Sequence, residues 1–316
     1  MNAAAPLPTP DFPPCRSERM SRLLELAQRV ALTDANVLVC GESGTGKEWL
    51  ARFLHAASPR RSRPFVTLSC QGLPDDRALD EMIGCSAELP DPARRRGRFE
   101  EAEGGTIFID GLSELSPAIQ GRLLRIVEDR GFERPSGGRP VTVDVRIVSS
   151  THVDPEPLVA GGQLRKDLYY RLNVFRLDVP PLRERREDLE DLAAGILDDR
   201  ARSRGGAPRR LSPGALDRLL RHDWPGNLRE LRNVLESAEV LDDRLDLPAE
   251  AIRIGPFPGP GPVGEAIRGR YSLAQLEEQY IREVLRLTRG NRTDAARILG
   301  INRKTLLDKR KKYGIP

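Results

Sequence analysis

The sequence predicts an α/β fold: a parallel sheet flanked by helices, then a small helical lid, then a separate all-α domain at the C-terminus. Three observations predict it. Strand-length apolar runs alternate with helical stretches through the first half of the chain. The first of those runs feeds directly into a glycine-rich turn that ends in lysine. A Pro/Gly segment then cuts off a basic tail whose net charge is opposite in sign to that of everything before it.

Taken in order, residues 1–16 are Ala/Pro-rich at their start and read as a disordered tail, and residues 17–186 read as the sheet unit. Residues 37–40, 65–68, 106–109 and 145–148 are apolar runs of strand length, and stretches such as 49–57 and 119–128 carry helical spacing. Such alternation needs crossover connections, hence a parallel sheet with helices on its faces. From about residue 187 to 245 strands of this kind are lacking; helices are expected at 188–202, 213–220 and 228–240, which sets a lid at 187–254. Residues 255–264 read Gly-Pro-Phe-Pro-Gly-Pro-Gly-Pro-Val-Gly, which supports neither a helix nor a central strand, so 255–268 is a linker to a final domain at 269–316.

A chain of 316 residues with 39% hydrophobic content can bury one sizeable core plus a satellite. There is no apolar run of about eighteen residues and no basic region followed by an apolar stretch at the N-terminus. Neither a membrane span nor a secretory signal is expected, and the protein is placed in the cytoplasm. Residues 1–16 leave no room for an upstream sensor domain, and none is expected. Cys15, Cys40, Cys70 and Cys85 lie far apart without a Cys-x-x-Cys pair, so they read as reduced thiols rather than zinc ligands or disulfides. The net charge of +4 hides an asymmetry. Residues 268–316 hold 13 Lys/Arg against 5 Asp/Glu, a net +8, whereas residues 1–267 hold 38 against 42, a net −4. The basic excess sits where a polyanion would be met.

The strand at 37–40 runs into Gly41-Glu42-Ser43-Gly44-Thr45-Gly46-Lys47, which then opens a helix. Glycines let backbone N–H groups curl around phosphate oxygens, the helix N-terminus adds positive potential, and Lys47 supplies a mobile charge. The next residue is Glu48, where the general pattern has Ser or Thr to hold magnesium. A second strand, Gly-Gly-Thr-Ile-Phe-Ile-Asp at 104–110, buries its apolar residues and ends in Asp110, which can hold Mg2+ directly or through water.

The string Gly-Glu-Ser-Gly-Thr-Gly-Lys-Glu at 41–48 resembles the nucleotide loop of the sigma-54 activator family of AAA+ proteins, the bacterial enhancer-binding proteins, in which Glu commonly takes the last place. The resemblance covers about residues 17–316. Val-Arg-Ile-Val-Ser-Ser-Thr-His at 145–152 looks like the family's sensor strand, Leu-Arg-Lys-Asp-Leu-Tyr-Tyr-Arg-Leu at 164–172 like its arginine-finger helix, and Trp-Pro-Gly-Asn-Leu-Arg-Glu-Leu at 224–231 like its lid signature. The resemblance implies an AAA+ fold with ATP and Mg2+ as cofactors, and His152 at the nucleotide. It also implies that Arg165 and Arg171 reach the nucleotide of a neighbouring subunit and that Arg229 senses the phosphates from the lid. Guanidinium forks suit phosphate oxygens and stabilise charge in phosphoryl transfer. The implied partners are double-stranded DNA, RNA polymerase holoenzyme and further copies of the chain, as a dimer or a hexameric ring.

Three departures from the family pattern bear on chemistry. Position 111, where the family has the Glu that activates the attacking water, is Gly; a general base is typically worth ~10² to 10⁴ in rate, so hydrolysis should be slowed by about that factor. Glu114 is expected to point elsewhere. The family's Asn that restrains this Glu falls at Ser69, so both members of the pair are replaced together. The GAFTGA loop that engages sigma-54 should lie between Gly84 and Gly97, yet the interval reads Cys-Ser-Ala-Glu-Leu-Pro-Asp-Pro-Ala-Arg-Arg-Arg. Two readings stay open: a DNA-binding regulator that binds ATP and hydrolyses it poorly, without the usual sigma-54 contact, or a working sigma-54-dependent ATPase in which Gly111 is compensated.

In the tail, apolar residues at 273, 276, 280, 281, 284, 285 and 287 form one helical stripe. A helix pair follows. Thr293 is expected to cap its first helix, Ala295 and Ala296 permit close packing, Gly300 makes the turn and Asn302 caps the second helix. Arg303, Lys304, Thr305 and Asp308 would then face the major groove, with Arg292, Lys309, Arg310, Lys311 and Lys312 toward phosphates. The pattern resembles the Fis-type helix-turn-helix, in which an apolar residue usually stands at the position of Arg310.

Overall fold

The computed structural model describes residues 15–84, 96–133, 140–254, 277–278, 280–282, 284–285, 288 and 291–313. The chain divides into two compact units, residues 1–254 and 255–316.

The first unit opens with α1 (Glu18–Ala31), β1 (Val37–Cys40), α2 (Lys47–Ala56), β2 (Phe65–Ser69), α3 (Asp75–Ile83), α4 (Arg98–Glu101), β3 (Thr106–Asp110) and α5 (Pro117–Asp129). A short hairpin, β4 (Gly131–Phe132) and β5 (Val141–Thr142), leads to β6 (Arg146–Thr151), α6 (Pro155–Ala160), α7 (Lys166–Leu172) and β7 (Phe175–Asp178). Five strands form one parallel sheet in the order β2-β3-β6-β1-β7. The inner strands β1, β3 and β6 form because their side chains are buried on both faces, as a parallel sheet requires. Val37 and Val39 point into a layer with Leu50 and Leu54 of α2 and Ala27 and Val30 of α1. Leu38 points the other way, into a layer with Met82, Phe99, Leu123 and Leu168.

The four strands expected from sequence are present, and β7 is added at the sheet edge. Only Leu177 is buried in it, and Arg176 interrupts the apolar pattern that would have marked it. Arg146 is 2% exposed at the head of β6; it donates to Ala31 O (2.9 Å) and Val30 O (2.9 Å), and so closes the C-terminus of α1.

The lid comprises α8 (Leu189–Arg204), α9 (Pro213–Leu220) and α10 (Asn227–Leu241). It also holds a two-residue parallel pair, β8 (Arg210–Leu211) with β9 (Asp246–Leu247), in a region read as purely helical. Its core is Leu189, Ala193, Leu197, Leu219, Trp224, Leu231, Leu235 and Leu247. The expected tail at 1–16 ends earlier: Asp188 Oδ1 accepts the backbone N–H groups of Arg16 (2.6 Å) and Ser17 (2.7 Å), tying the chain's start to the lid. Residues 1–14 and the linker at 255–268 lie outside the described residues, as does most of the segment at 85–96.

In the second unit Ile281, Val284 and Leu285 of the stripe pack with Ala295, Ala296 and Leu306, whereas Tyr280 of the same stripe is exposed; Leu273, Leu276 and Leu287 lie outside the described residues. Helices at Arg292–Ile298 and Arg303–Lys312 are joined through Gly300 at φ +65°. Asn302 caps the second helix, accepting from Thr305 N (2.7 Å). The first helix is capped differently from expectation. Asn291 Oδ1 accepts from Asp294 N (3.4 Å), and Thr293 lies inside the helix because the chain turns helical at Arg292.

Candidate functional site

Parallel register puts the carboxyl ends of β1, β3 and β6 on one rim. Cys40 pairs with Thr151, and Ser69 with Asp110. Ligands of open α/β sheets bind outside that rim. Here it forms one wall of a cleft of about 1120 Å³, whose opposite wall is lid: Asp191, Leu192, Ile196, Asp199 and Arg202 of α8 with Leu228, Arg229 and Arg232 of α10.

The glycine turn after β1 is shaped by what it touches. Gly44 (φ +79°) lies so close to the lid that an added Cβ would sit 2.4 Å from Gly226 O, and Gly41 (φ +152°) would meet Val179 O at 2.8 Å. Gly46 (φ +102°) precedes α2, whose first turn has no side-chain cap, which leaves backbone N–H groups for an anion. Lys47 is 9% exposed and donates to Gly41 O (2.7 Å) and Glu42 O (2.9 Å). Burial pushes its pKa down, so its ammonium gains from any nearby anion. Thr45 Oγ1 donates back to Glu42 O (2.9 Å).

The lid grips this turn through residues more than a hundred positions away. Arg183 forms a two-pronged pair with Glu42 (2.6 and 2.8 Å), and buried Arg185 donates to Thr45 O (2.7 Å). Asn227, wholly buried at φ +52°, donates to Ser43 O (3.1 Å) and Glu42 Oε2 (3.2 Å), while Leu182 N donates to its Oδ1 (2.8 Å). Arg229 donates to Ser43 Oγ (2.8 Å). The strained turn is supported from behind: Glu230 accepts from Gly226 N (2.8 Å), and Trp224 Nε1 donates to Leu219 O (2.9 Å).

On the opposite side Asp110 Oδ1 accepts from Ser150 Oγ (2.6 Å), which in turn accepts from Gly111 N (3.1 Å). Asp110 lines the cleft with Lys47 and His152. A single carboxylate facing a phosphate-binding turn is a fitting Mg2+ ligand, since that ion keeps several waters and takes its other oxygens from phosphates. Glu48 also lines the cleft and pairs with Arg52 (2.7 Å) on the exposed face of α2.

The structure thus gathers Gly44, Thr45, Gly46, Lys47, Ser43, Glu48, Asp110, His152 and Arg229 at one cleft. Glu42 holds the lid rather than the cleft wall. Arg165 and Arg171 are not there: both are exposed, and Arg165 pairs with Asp167 (2.8 Å). Glu114, expected to point elsewhere, is not among the residues lining the cleft, yet it stays close to its rim. Residues Leu112–Glu114 form a 3₁₀ turn, in which positions three apart eclipse, so Glu114 lies back over Gly111 and its Oε1 is 3.5 Å from His152 Nε2. Arg183, Arg185, Asn227 and Gln71, which also line or brace the site, were not read as site residues from sequence. Only the Asn inside the 224–231 string carried any signal.

In the second unit Arg292, Asn302, Arg303, Lys304, Asp308 and Lys312 are exposed and Thr305 is half-buried. Lys309, read as a phosphate contact, is held by Glu277 (2.6 Å), which also accepts from the Tyr313 hydroxyl (2.6 Å). Arg310 is half-buried with Nε unpartnered, the cost of placing a cation where packing favours an apolar side chain. The side chains of Thr293 and Lys311 lie outside the described set.

Residues 15–178 match the sigma-54 interaction domain, 183–253 the AAA+ ATPase lid domain and 272–313 the Fis family of bacterial regulatory proteins. The chain is 42% identical over 296 residues to the transcriptional regulatory protein ZraR of Escherichia coli (strain K12), covering 93% of this chain and 67% of that one. It is 37% identical over 315 residues to the transcriptional regulatory protein FlbD of Caulobacter vibrioides, covering 94% and 69%. A crystal structure of NtrX from Brucella abortus in complex with ATP matches with a TM-score of 0.71 at 34% identity, covering 97% of this chain and 70% of that one. No helix among the described residues is long and apolar enough to cross a membrane.

The hydrogen bonds from Arg183 hold the Glu42 carboxyl below the usual glutamate range. Because the folded-state value is depressed, the pair's contribution is fully present above the ordinary glutamate pKa and is lost as pH falls through the lowered value. Both side chains are well exposed, so the contribution is at most about 1 kcal/mol. Carboxyl NMR titration should show Glu42 titrating below the exposed glutamates, and Arg183→Ala should return it to their range; no difference between the two proteins would contradict the pairing.

Proposed function

We infer that this chain, which belongs to the sigma-54 interaction domain family of AAA+ transcription regulators with a Fis-type helix-turn-helix, binds ATP between sheet rim and lid and regulates transcription from bound DNA. The observation that carries this reading is the convergence of Lys47, Arg185 and Arg229 on one cleft, with Asp110 across it. Three cations around uncapped helix N–H groups suit a triphosphate. Mg2+, held by Asp110, would neutralise charge on the β and γ oxygens. On this reading residues 17–186 bind the nucleotide, 187–254 close over it, 255–268 tether, and 269–316 deliver the chain to double-stranded DNA.

Arg165 and Arg171 face solvent beside exposed Tyr170 and Val174, outside their own chain's cleft. That placement supports a role at a neighbouring copy's nucleotide in a homo-oligomer, whether dimer or hexameric ring, with the apolar pair in the contact. Hydrolysis is slow because Gly111 supplies no carboxylate, and nucleotide occupancy rather than rapid turnover sets the assembly state. The segment at 85–96 has no aromatic tip and carries Pro90 and Pro92, so contact with RNA polymerase holoenzyme runs by a route other than the family's sigma-54 loop.

On the full chain, steady-state ATP turnover should fall ~10² to 10⁴ below that of an intact site, and purified sigma-54 holoenzyme should give no ATP-dependent transcript with it. A hydrolysis-dependent transcript from a sigma-54 promoter would establish the motor reading instead. For DNA, four or five neutralised phosphates per subunit give a log–log salt slope of about −3.6 to −4.5, and twice that for a dimer; the lower figure applies if Glu277 keeps Lys309. Lys304→Ala should relax base discrimination, and a merely uniform weakening across sequences would assign Lys304 to phosphate.

A further inference from the structure

The turn after β3 is built around the missing side chain at position 111. Gly111 lies at φ +87°, and its N–H is pinned through Ser150 Oγ to the Asp110 carboxylate. A Cβ there would sit 3.4 Å from Glu114 Cγ, 3.6 Å from Gln71 Cγ and 4.0 Å from Cys70 Cβ. The space that a side chain at 111 would enter is therefore bordered by a carboxylate side chain on one side and an amide on the other. Neither arrives by accident of a flexible surface. Glu114 N donates to Gly111 O (2.8 Å), closing the 3₁₀ turn that eclipses residue 114 on residue 111. Gln71 follows directly on β2, whose last residue pairs with Asp110, and Gln71, Gly111 and His152 all line the cleft. His152, at the end of β6, faces Glu114 at 3.5 Å.

We propose that Glu114, Gln71 and His152 form a rebuilt water-activating site in which Glu114 is the general base for ATP hydrolysis. The proposal rests on the reading that ATP occupies this cleft. The Gln71 amide orients a water in line with the γ-phosphorus, the role a glutamine takes in other phosphate-loop enzymes. The water oxygen forms a bond to the γ-phosphorus as the bond to the β–γ bridging oxygen breaks, and ADP leaves with that electron pair. One water proton passes to the Glu114 carboxylate and from there, by way of His152, to solvent. The net change is ATP and water to ADP, inorganic phosphate and a proton. The longer reach from position 114 accounts for slow turnover, since displacement of a base by an ångström costs rate.

The test uses the full chain with saturating ATP and Mg2+, measuring turnover together with affinity for a fluorescent ATP analogue. Lys47→Ala sets the background. Wild type should turn over above that background; Glu114→Gln should fall at least about 100-fold or to background with nucleotide affinity within about twofold of wild type. Glu114→Asp should keep a measurable fraction, and Gln71→Ala should lower kcat rather than raise KM. Unchanged turnover in Glu114→Gln, or wild-type turnover no higher than that of Lys47→Ala, overturns the proposal while leaving nucleotide binding standing. Failure of the wild-type chain to bind the analogue overturns the underlying reading, and the proposal with it.

Discussion

The structure depends on one close approach: the glycine turn after β1 lies against the turn that opens α10, with no room for a side chain between them. Gly44 can occupy that point only without a Cβ, and Asn227, Arg185 and Arg183 then hold the turn through its carbonyls and Glu42. Because these anchors sit on the lid and its lead-in, the shape of the phosphate-binding turn and the position of the lid are one variable rather than two. A ligand that draws Arg229 off Ser43 would therefore be felt along α10.

Across the cleft from that frame lies the rim of Asp110, Gly111 and Ser150. Asp110 is held in place by Ser150 and by the parallel register. Gly111 adopts a left-handed turn that glycine accepts at little cost. That turn is what brings Glu114 back.

Much of this was legible from residue order. β1, β2, β3 and β6, the lid helices and the glycine turn carry local signals, either apolar runs or residues that only one backbone shape tolerates. β7 was not legible because a sheet edge leaves Phe175 and Asp178 exposed and removes the pattern. Arg183, Arg185 and Asn227 act on partners some 140 to 185 positions away, and no spacing rule reaches that far. The approach of Glu114 to Gly111 was not legible for a local reason: three residues along an extended turn points away, whereas three along a 3₁₀ turn returns to the same face. Likewise the helix cap fell at Asn291 rather than Thr293 because helix begins two residues earlier than the capping pattern suggested.

The central claim is that a nucleotide's phosphates are held between the glycine turn and the lid. Calorimetric titration of ATP with Mg2+ into the wild-type chain and into Gly44→Ala, with circular dichroism to confirm that both are folded, tests it most directly. The account predicts saturable binding by wild type and a loss of at least about tenfold in affinity in the variant, because the added methyl forces turn and lid apart. Equal affinity in two equally folded proteins would contradict it.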